Sequence, residues 1–184
     1  MTQALTLVWF RRDLRTFDHS ALQTAIRQGR PLAAVFLFDR DIMDSLPADD
    51  RRLSFIHQCL SELHGKLAEL NIPLYFRHGR ADTEIPALAA KLNAAVEVCA
   101  EDYEPQAIAR DTRVAAKLID ANIEFQALTD QVMLAKSAVM TQQDRPYQVF
   151  TPYYKAWLAI VAEQYAGWQS RDEWATLQQL QQKL

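Results

Sequence analysis

Charged side chains follow the first apolar run of the chain and are the first candidates for chemistry. Arg11, Arg12, Asp13 and Arg15 stand together directly after Phe10. Guanidinium groups bind carboxylates and phosphates through paired hydrogen bonds. The mixture of charges predicts ion pairs that hold a loop or dock another surface, and solvated surface charge is the alternative.

Aromatic rings and a carboxylate end the second apolar run, where Phe36 and Phe38 precede Asp39. Rings beside a polar group can line the pocket of a flat ligand. Aromatic residues at the end of a strand also pack in protein cores, and both interpretations stay open at this point.

The strongest site candidate follows the fourth apolar run, because four polar residues converge there. Glu101, Asp102, Tyr103 and Glu104 stand at the start of a helical pattern. Acidic groups also complement the positive end of a helix dipole, so a purely structural role is the alternative.

Several familiar sites are missing from the sequence. The first turn has no GxGxxG, which a dinucleotide-binding loop needs so that its backbone can approach a pyrophosphate. The four histidines show no metal-ligand spacing, and Cys59 and Cys99 form no CxxC pair. No nucleophile with an adjacent base is recognisable. We therefore expect a ligand-binding segment without catalytic or metal-binding residues of its own.

Five short apolar runs must position these side chains, and they alternate with helical patterns. The runs are residues 5–10, 32–38, 72–77, 96–100 and 123–128. This alternation predicts an α/β fold, a Rossmann-like doubly wound sheet of five parallel strands with helices on both faces. Ligands of such sheets bind beyond the carboxyl ends of the strands, where the strand order reverses. The three stretches above follow strands one, two and four, so we expect them to meet.

Helical patterns cover residues 20–28, 49–70, 83–93 and 105–122, and a further helix begins near Pro152. Asp18 is a candidate N-cap for the first helix. The apolar stripe of the second is expected to lie on the sheet; it consists of Leu53, Ile56, Leu60, Leu63, Leu67 and Leu70.

The length of 184 residues suits one domain with an appendage, and 49% hydrophobic residues allow a sizeable core. The α/β rhythm stops after residue 128, which divides the chain into a domain, 1–130, and a helical connector, 131–184. A capping-box pattern at Ser170 and Glu173 begins the last helical stretch.

The net charge of -3 argues against nucleic-acid binding by this segment alone, because phosphate binding needs a basic face. The first ten residues have no basic region and too short an apolar run for a signal peptide or a membrane span. A cytoplasmic location and no membrane partner are expected.

Four stretches resemble motifs of the DNA photolyase and cryptochrome family. VWFRRDLRTFDHSAL is similar to the family pattern W-F-R-x-D-L-R-x-x-D-N-x-A-L and departs from it at His19, where the family has asparagine. The other three are RRLSFIHQCLSEL, AEDYEPQAIARD and AVMTQQDRPYQVFTPYYKAWL, in the order and spacing of the family. Together they span residues 5–160.

The resemblance implies the N-terminal antenna domain of a bacterial-type photolyase, a carbon-carbon lyase that repairs cyclobutane pyrimidine dimers in DNA. In this family a larger helical domain carries FAD and receives the flipped-out dimer. An antenna pigment passes light energy to reduced FAD, which donates an electron to the dimer. By resemblance, this segment is not catalytic alone, and its partner is the FAD domain of the same protein. Damaged DNA binds through that FAD domain. The resemblance also implies that the protein is a monomer. The arginine cluster then organises the strand ends toward the FAD domain.

The resemblance also indicates which pigment the segment takes. Folate-binding members carry an asparagine-glutamate pair where this chain has Gln106 and Ala107, and alanine accepts no hydrogen bond. A deazaflavin or flavin antenna is therefore favoured over methenyltetrahydrofolate, and an empty site is the other possibility. The residues that match pigment-binding positions are Phe36, Phe38, Asp39, Arg52, Asp102, Glu104 and Gln106.

Two other functions are compatible with the same sequence. A cryptochrome that senses blue light shares this N-terminal domain, and its substrate and FAD contacts lie elsewhere. A stand-alone α/β nucleotide-binding module would need no second domain.

Overall fold

Five strands form one parallel sheet in the computed structural model, which describes residues 3–47 and 49–164. They are β1 (Leu5–Phe10), β2 (Leu32–Asp39), β3 (Leu74–Gly79), β4 (Ala94–Ala100) and β5 (Glu124–Leu128). Their order across the sheet is β3-β2-β1-β4-β5. The three central strands are buried on both faces, which explains why they read as continuous apolar runs rather than as alternating patterns. The predicted doubly wound parallel sheet is confirmed.

Six helices occur in the described part of the chain. They are α1 (Ser20–Arg27), α2 (Arg40–Met43), α3 (Arg51–Glu69), α4 (Ala81–Lys91), α5 (Pro105–Asp120) and α6 (Phe150–Gln164). The one-turn helix α2 is the only one of these that the sequence did not predict, because four residues are too few to show a helical period. Asp39 begins this helix, since its Oδ1 accepts a hydrogen bond from the Asp41 N–H at 3.1 Å.

The helices cover both faces of the sheet. On one face α4 and α5 pack on side chains of the central strands such as Leu7, Trp9 and Val35. On the other face α1 and α3 pack on residues such as Val8 and Phe10. The two faces alternate along each strand, so neighbouring residues belong to different layers.

Two isoleucines that the sequence analysis assigned to strand starts belong to helix ends instead. Asn71 and Asn122 adopt left-handed conformations, with φ of 54° and 57°. The N–H of the following residue, Ile72 or Ile123, then donates to the carbonyl five residues earlier, that of Leu67 or Leu118, at 2.9 Å in both cases. This is the hydrogen bond of a Schellman motif, and β3 and β5 begin only after it.

The apolar stripe of α3 lies on the sheet along the second half of the helix only. Leu60, Leu63 and Leu67 are buried there. Leu53 and Ile56, in the first half, are partly exposed. The first half projects past the edge of the core, toward the carboxyl ends of the strands.

The N-cap of α1 is His19, and the prediction for Asp18 was wrong. His19 has the extended backbone of an N-cap, and its Nδ1 accepts a hydrogen bond from the Leu22 N–H at 3.1 Å. Asp18 instead has a left-handed backbone, with φ of 45°. The Nε2 of His19 lies 2.9 Å from Oδ2 of Asp13, so the buried imidazole also fixes the loop before the helix.

The segment after β5 is irregular up to α6. Leu134 and Val139 are its buried residues, whereas α6 buries none of its own. The predicted capping box at Ser170 and Glu173 lies outside the described residues. Across residues 3–47 and 49–164, no helix has the length and apolar character that a membrane span requires.

Candidate ligand-binding site

A cavity of about 550 Å³ opens at the carboxyl ends of β1, β2 and β4. Strands β2 and β4 flank β1, and the chain crosses from one side of β1 to the other between β3 and β4. The cavity therefore lies where the strand order reverses, which is the usual ligand site of a doubly wound sheet. Its size suits a ligand of one fused ring system.

One wall of the cavity is apolar. The rings of Phe36 and Phe38 meet edge to face, with centroids 5.0 Å apart and planes at 80°. Ile42 and Met43 of α2 and Ile56 of α3 complete this wall. The projecting first half of α3 and the short helix α2 thus supply the surface that a flat ring would pack on.

Trp9 and two arginines form the floor. Arg11 donates from Nη1 to both oxygens of Asp111, at 2.9 and 2.7 Å, and Arg110 donates from Nε to Oδ1 of Asp111 at 2.9 Å. The guanidinium carbons of Arg11 and Arg110 lie 4.9 and 5.1 Å from the centre of the Trp9 ring. These are cation-π distances, so the floor is a packed unit of one ring and three charges.

A fully buried acid, Glu97, interacts electrostatically with this floor. Both of its carboxyl oxygens lack a hydrogen-bond partner within the described residues. Burial raises the pKa of Glu97 well above its usual range, against the opposing effect of the Arg11 charge. Burial likewise raises the pKa of the nearby Cys99 thiol, which marks it as an inert core residue.

The opposite wall is polar. Arg12 donates to Glu104 at 2.8 Å, and its Nε lies 3.9 Å from the buried carboxylate of Asp102. Oδ1 of Asp102 accepts the Tyr103 N–H at 2.8 Å, whereas the Glu104 side chain makes no helix-capping hydrogen bond. Asp102 thus has a structural role in its turn, while Glu104 is held by an arginine across the cavity mouth.

The rim of the cavity carries a network of ion pairs. Asp41 lies 3.1 Å from Arg80 and 3.7 Å from Arg113, and Asp82 lies 3.4 Å from each arginine. These contacts join α2, α4 and α5. The rim is largely exposed, so its ion pairs add little stability, but they fix the position of α2.

Asp39 presents an unsatisfied acceptor. Its Oδ1 caps α2, but its buried Oδ2 has no hydrogen-bond partner in the part of the chain that the structure describes. Burial raises the pKa of Asp39, and the neighbouring Asp41 charge adds to this, while the Asp41 N–H opposes it. Because Asp39 lines the cavity, a ligand N–H or O–H could satisfy this oxygen.

The structure brings six of the seven predicted site residues to this one cavity. They are Phe36, Phe38, Asp39, Asp102, Glu104 and Gln106. The seventh, Arg52, does not line it. Its exposed guanidinium lies 2.6 Å from Asp50, and this pair lowers the pKa of Asp50 to about 2.

The arginine cluster after β1 forms ion pairs that tie loops together, as one of the two sequence interpretations proposed. Besides the contacts of Arg11 and Arg12, Arg15 lies 2.8 Å from the carboxylate of Asp130. The other oxygen of Asp130 accepts the Ser20 N–H at 2.8 Å. The loop after β1 is therefore fastened to α5 on one side and to the segment after β5 on the other.

Several residues that line the cavity were not among the predicted site residues. Trp9 was assigned to a strand interior, and α2 was not recognised. Arg110 and Arg113 follow Gln106 at helical spacing on α5, so the period of that helix could have identified them.

The fold and the cavity define a doubly wound α/β domain with a ligand site at its switch point. Within this class, the chain belongs to the DNA photolyase family, because a sequence model of that family matches residues 6–172. A deoxyribodipyrimidine photo-lyase from Vibrio cholerae is 34% identical over 160 residues, which cover 85% of this chain and 34% of the relative. A second, from Synechococcus, is 33% identical over 153 residues, which cover 83% and 32%. The chain thus spans about a third of the length of these relatives.

Solved structures agree with this assignment. A class III photolyase from Agrobacterium tumefaciens superimposes with a TM-score of 0.74 at 27% identity, covering 85% of this chain and 32% of that protein. A photolyase from Sulfolobus tokodaii gives a TM-score of 0.68 at 25% identity over 82% and 33%. The latter is described with two FAD molecules, which are said to imply a novel light-harvesting cofactor.

Proposed function

We propose that this chain is the light-harvesting domain of a photolyase that repairs cyclobutane pyrimidine dimers in DNA. The observation that carries the proposal is the cavity at the switch point, with one apolar wall, one polar wall and six matching residues. Family membership supplies the context, since the relatives from Vibrio cholerae and Synechococcus described above are deoxyribodipyrimidine photo-lyases.

The cavity fits an aromatic pigment. Phe36, Phe38 and Ile56 offer apolar surface to the face of a ring, and the unsatisfied Oδ2 of Asp39 offers an acceptor to a polar edge. A pigment bound there supplies absorption of blue or near-ultraviolet light and transfer of the excitation energy. The protein holds the ring, accepts a hydrogen bond from its polar edge and excludes water.

The residues favour a flavin or deazaflavin over methenyltetrahydrofolate. Gln106 and Ala107 both line the cavity, but Ala107 is buried and offers no acceptor where folate-binding relatives carry a carboxylate. Arg52 stays in the proposed set because it lies one turn before Ile56 on the same face of α3.

The remaining steps belong to a second, FAD-containing domain, which is the proposed partner of this chain. In this proposal, residues 1–130 are the antenna domain, and residues 131–184 are the interdomain connector and the start of the helical FAD domain. The net charge of -3 supports DNA binding through the partner domain rather than through this one. The whole protein is proposed to act as a cytoplasmic monomer.

Pigment binding tests the antenna assignment. The purified chain is incubated with FMN, a deazaflavin and methenyltetrahydrofolate, and dissociation constants are measured. We expect the first two to bind more tightly than the folate. Phe38→Ala should weaken binding about tenfold, the effect of roughly 1.4 kcal/mol of lost contact. Phe76→Ala, a half-exposed ring outside the cavity, is the control. Tightest binding of the folate would refute the inference drawn from Ala107.

Arg52 is tested separately, because the structure places it outside the cavity lining. Arg52→Ala should weaken pigment binding while leaving the melting temperature unchanged. The Arg52 side chain is exposed, and its ion pair in the described structure is with Asp50. A loss of thermal stability without loss of binding would make the pair purely structural.

Repair by the full-length gene product tests the enzyme. In the presence of this product, blue light should split the pyrimidine dimers in damaged DNA. Bound FAD without repair would favour a cryptochrome-type light sensor over a photolyase.

A further inference from the structure

Trp9 stands in the cavity floor with two guanidinium groups against its ring. The ring is 2% exposed, and Arg11 and Arg110 lie 4.9 and 5.1 Å from its centre. Indole is electron-rich and gives up an electron more readily than the phenyl rings of Phe36 and Phe38 in the same cavity. An excited pigment beside such a ring can lose its energy by drawing an electron from it.

The charged groups in contact with the Trp9 ring are both positive. They are the guanidinium groups of Arg11 and Arg110, whose central carbons lie 4.9 and 5.1 Å from the ring centre. Their negative partners are Asp111, which pairs with both arginines, and Asp39, which interacts electrostatically with Arg110. Glu97 is a further acid near Arg11, and burial raises its pKa well above the usual range, which favours the neutral form.

A positive site opposes oxidation of the ring. Removing an electron from Trp9 would create an indole cation about 5 Å from two guanidinium groups. In a partly buried site, the repulsion between like charges at this distance is several times the thermal energy. The same arginines therefore raise the energy needed to oxidise Trp9.

We propose that Arg11 and Arg110, held in place by Asp111, prevent Trp9 from quenching a light-excited ring in the cavity. This inference rests on the proposed antenna function. In the step that is suppressed, one electron passes from the indole to the excited ring and then returns, so the light energy becomes heat. No bond changes, no proton moves and no other reagent is consumed.

The excited-state lifetime of bound FMN tests the inference. Arg110→Gln removes the charge and keeps an amide that can donate to Asp111, and Arg110→Met removes both. The lifetime should fall by at least about twofold in both variants, because one repulsive charge is lost. Arg110→Lys keeps the charge and should retain a lifetime near that of the wild type. Melting curves establish which variants are folded.

Two further variants assign the effect. Combining Trp9→Phe with Arg110→Gln should restore the long lifetime, because the electron donor is gone. Lys117→Gln is the matched control, since Lys117 is an exposed cation on the same helix and does not line the cavity.

The outcomes separate this inference from the antenna assignment. Bound FMN with an unchanged lifetime in the Arg110→Gln and Arg110→Met variants would overturn the inference alone. A shortened lifetime that persists after Trp9→Phe would also overturn it, because Trp9 would not be the quencher. Failure of FMN to bind the wild-type chain would refute the flavin antenna and this inference with it.

Discussion

At the scale of single residues, the floor of the cavity places four ionisable side chains in one buried layer. Arg11 and Arg110 both donate to Asp111, but Nη2 of each arginine and both carboxyl oxygens of Glu97 have no hydrogen-bond partner in the described chain. Desolvation at Glu97 outweighs the attraction of Arg11, so burial raises the pKa of this residue and favours its neutral form. Asp111 is the carboxylate to which both arginines donate, and Asp39 interacts electrostatically with Arg110.

Glu97 makes the stability of the domain depend on pH. Its folded-state pKa is raised, so its contribution is fully present below the unfolded value near 4.5 and is lost as the pH rises toward the folded value. Glu97→Gln removes this dependence. We expect the variant to be more stable than wild type at pH 8 by about 1–2 kcal/mol and to lose that advantage at pH 4.

Urea unfolding at both pH values measures this difference. Glu163→Gln, at an exposed position of α6, is the control and should show no pH-dependent gain. A Glu97→Gln variant that is less stable than wild type at pH 8 would mean that Glu97 is ionised and paired in the fold.

At the scale of elements, Asp130 joins parts of the chain that are distant in sequence. Its carboxylate is 2% exposed, lies 2.8 Å from the Arg15 guanidinium, and accepts the Ser20 N–H at the start of α1. The loop after β1, helix α1 and the segment after β5 are held by this one side chain.

Replacing Asp130 with asparagine should destabilise the domain by about 1–3 kcal/mol, because a buried charge-assisted contact to Arg15 is lost. Thermal or urea unfolding measures the effect. Asp120→Asn, at the exposed end of α5, should stay within about 0.5 kcal/mol of wild type. Equal effects of the two changes would show that the contacts of Asp130 carry no net stability.

At the scale of the whole molecule, one helix carries apolar side chains that lie outside the core formed by the sheet and its covering helices. Helix α6 is apolar but has no buried residue, and Phe150, Tyr154 and Leu158 are 74%, 46% and 46% exposed. A face of this kind is typical of a surface that another part of a larger protein covers.

Hydrogen exchange should separate α6 from the rest of the chain. Amides of α6 are expected to exchange much faster than those of α5, which buries Val114 and Leu118 against the sheet. The measurement is made on the purified chain at low concentration. Protection of α6 equal to that of α5 would show that the exposed face is covered, for example by a second copy of the chain, against the expectation of a monomer.

Local signals in the sequence determined much of the architecture. The five strands, the large helices and the six cavity residues followed from apolar periods, from strand ends and from the family motifs. Parallel central strands must be apolar on both faces, and their carboxyl ends must meet at one edge, so these features are readable without coordinates.

Only the tertiary structure decided where some elements end and which partner each polar group has. Ile72 and Ile123 look like strand residues, yet the left-handed backbone of the preceding asparagine turns them into helix ends. Arg52 matched a pigment-binding position but points to Asp50 instead of lining the cavity. Trp9, Arg110 and Glu97 form a single buried layer although they are far apart in sequence. Hydrogen bonds and desolvation depend on such three-dimensional neighbours, whereas periodicity depends on the chain alone.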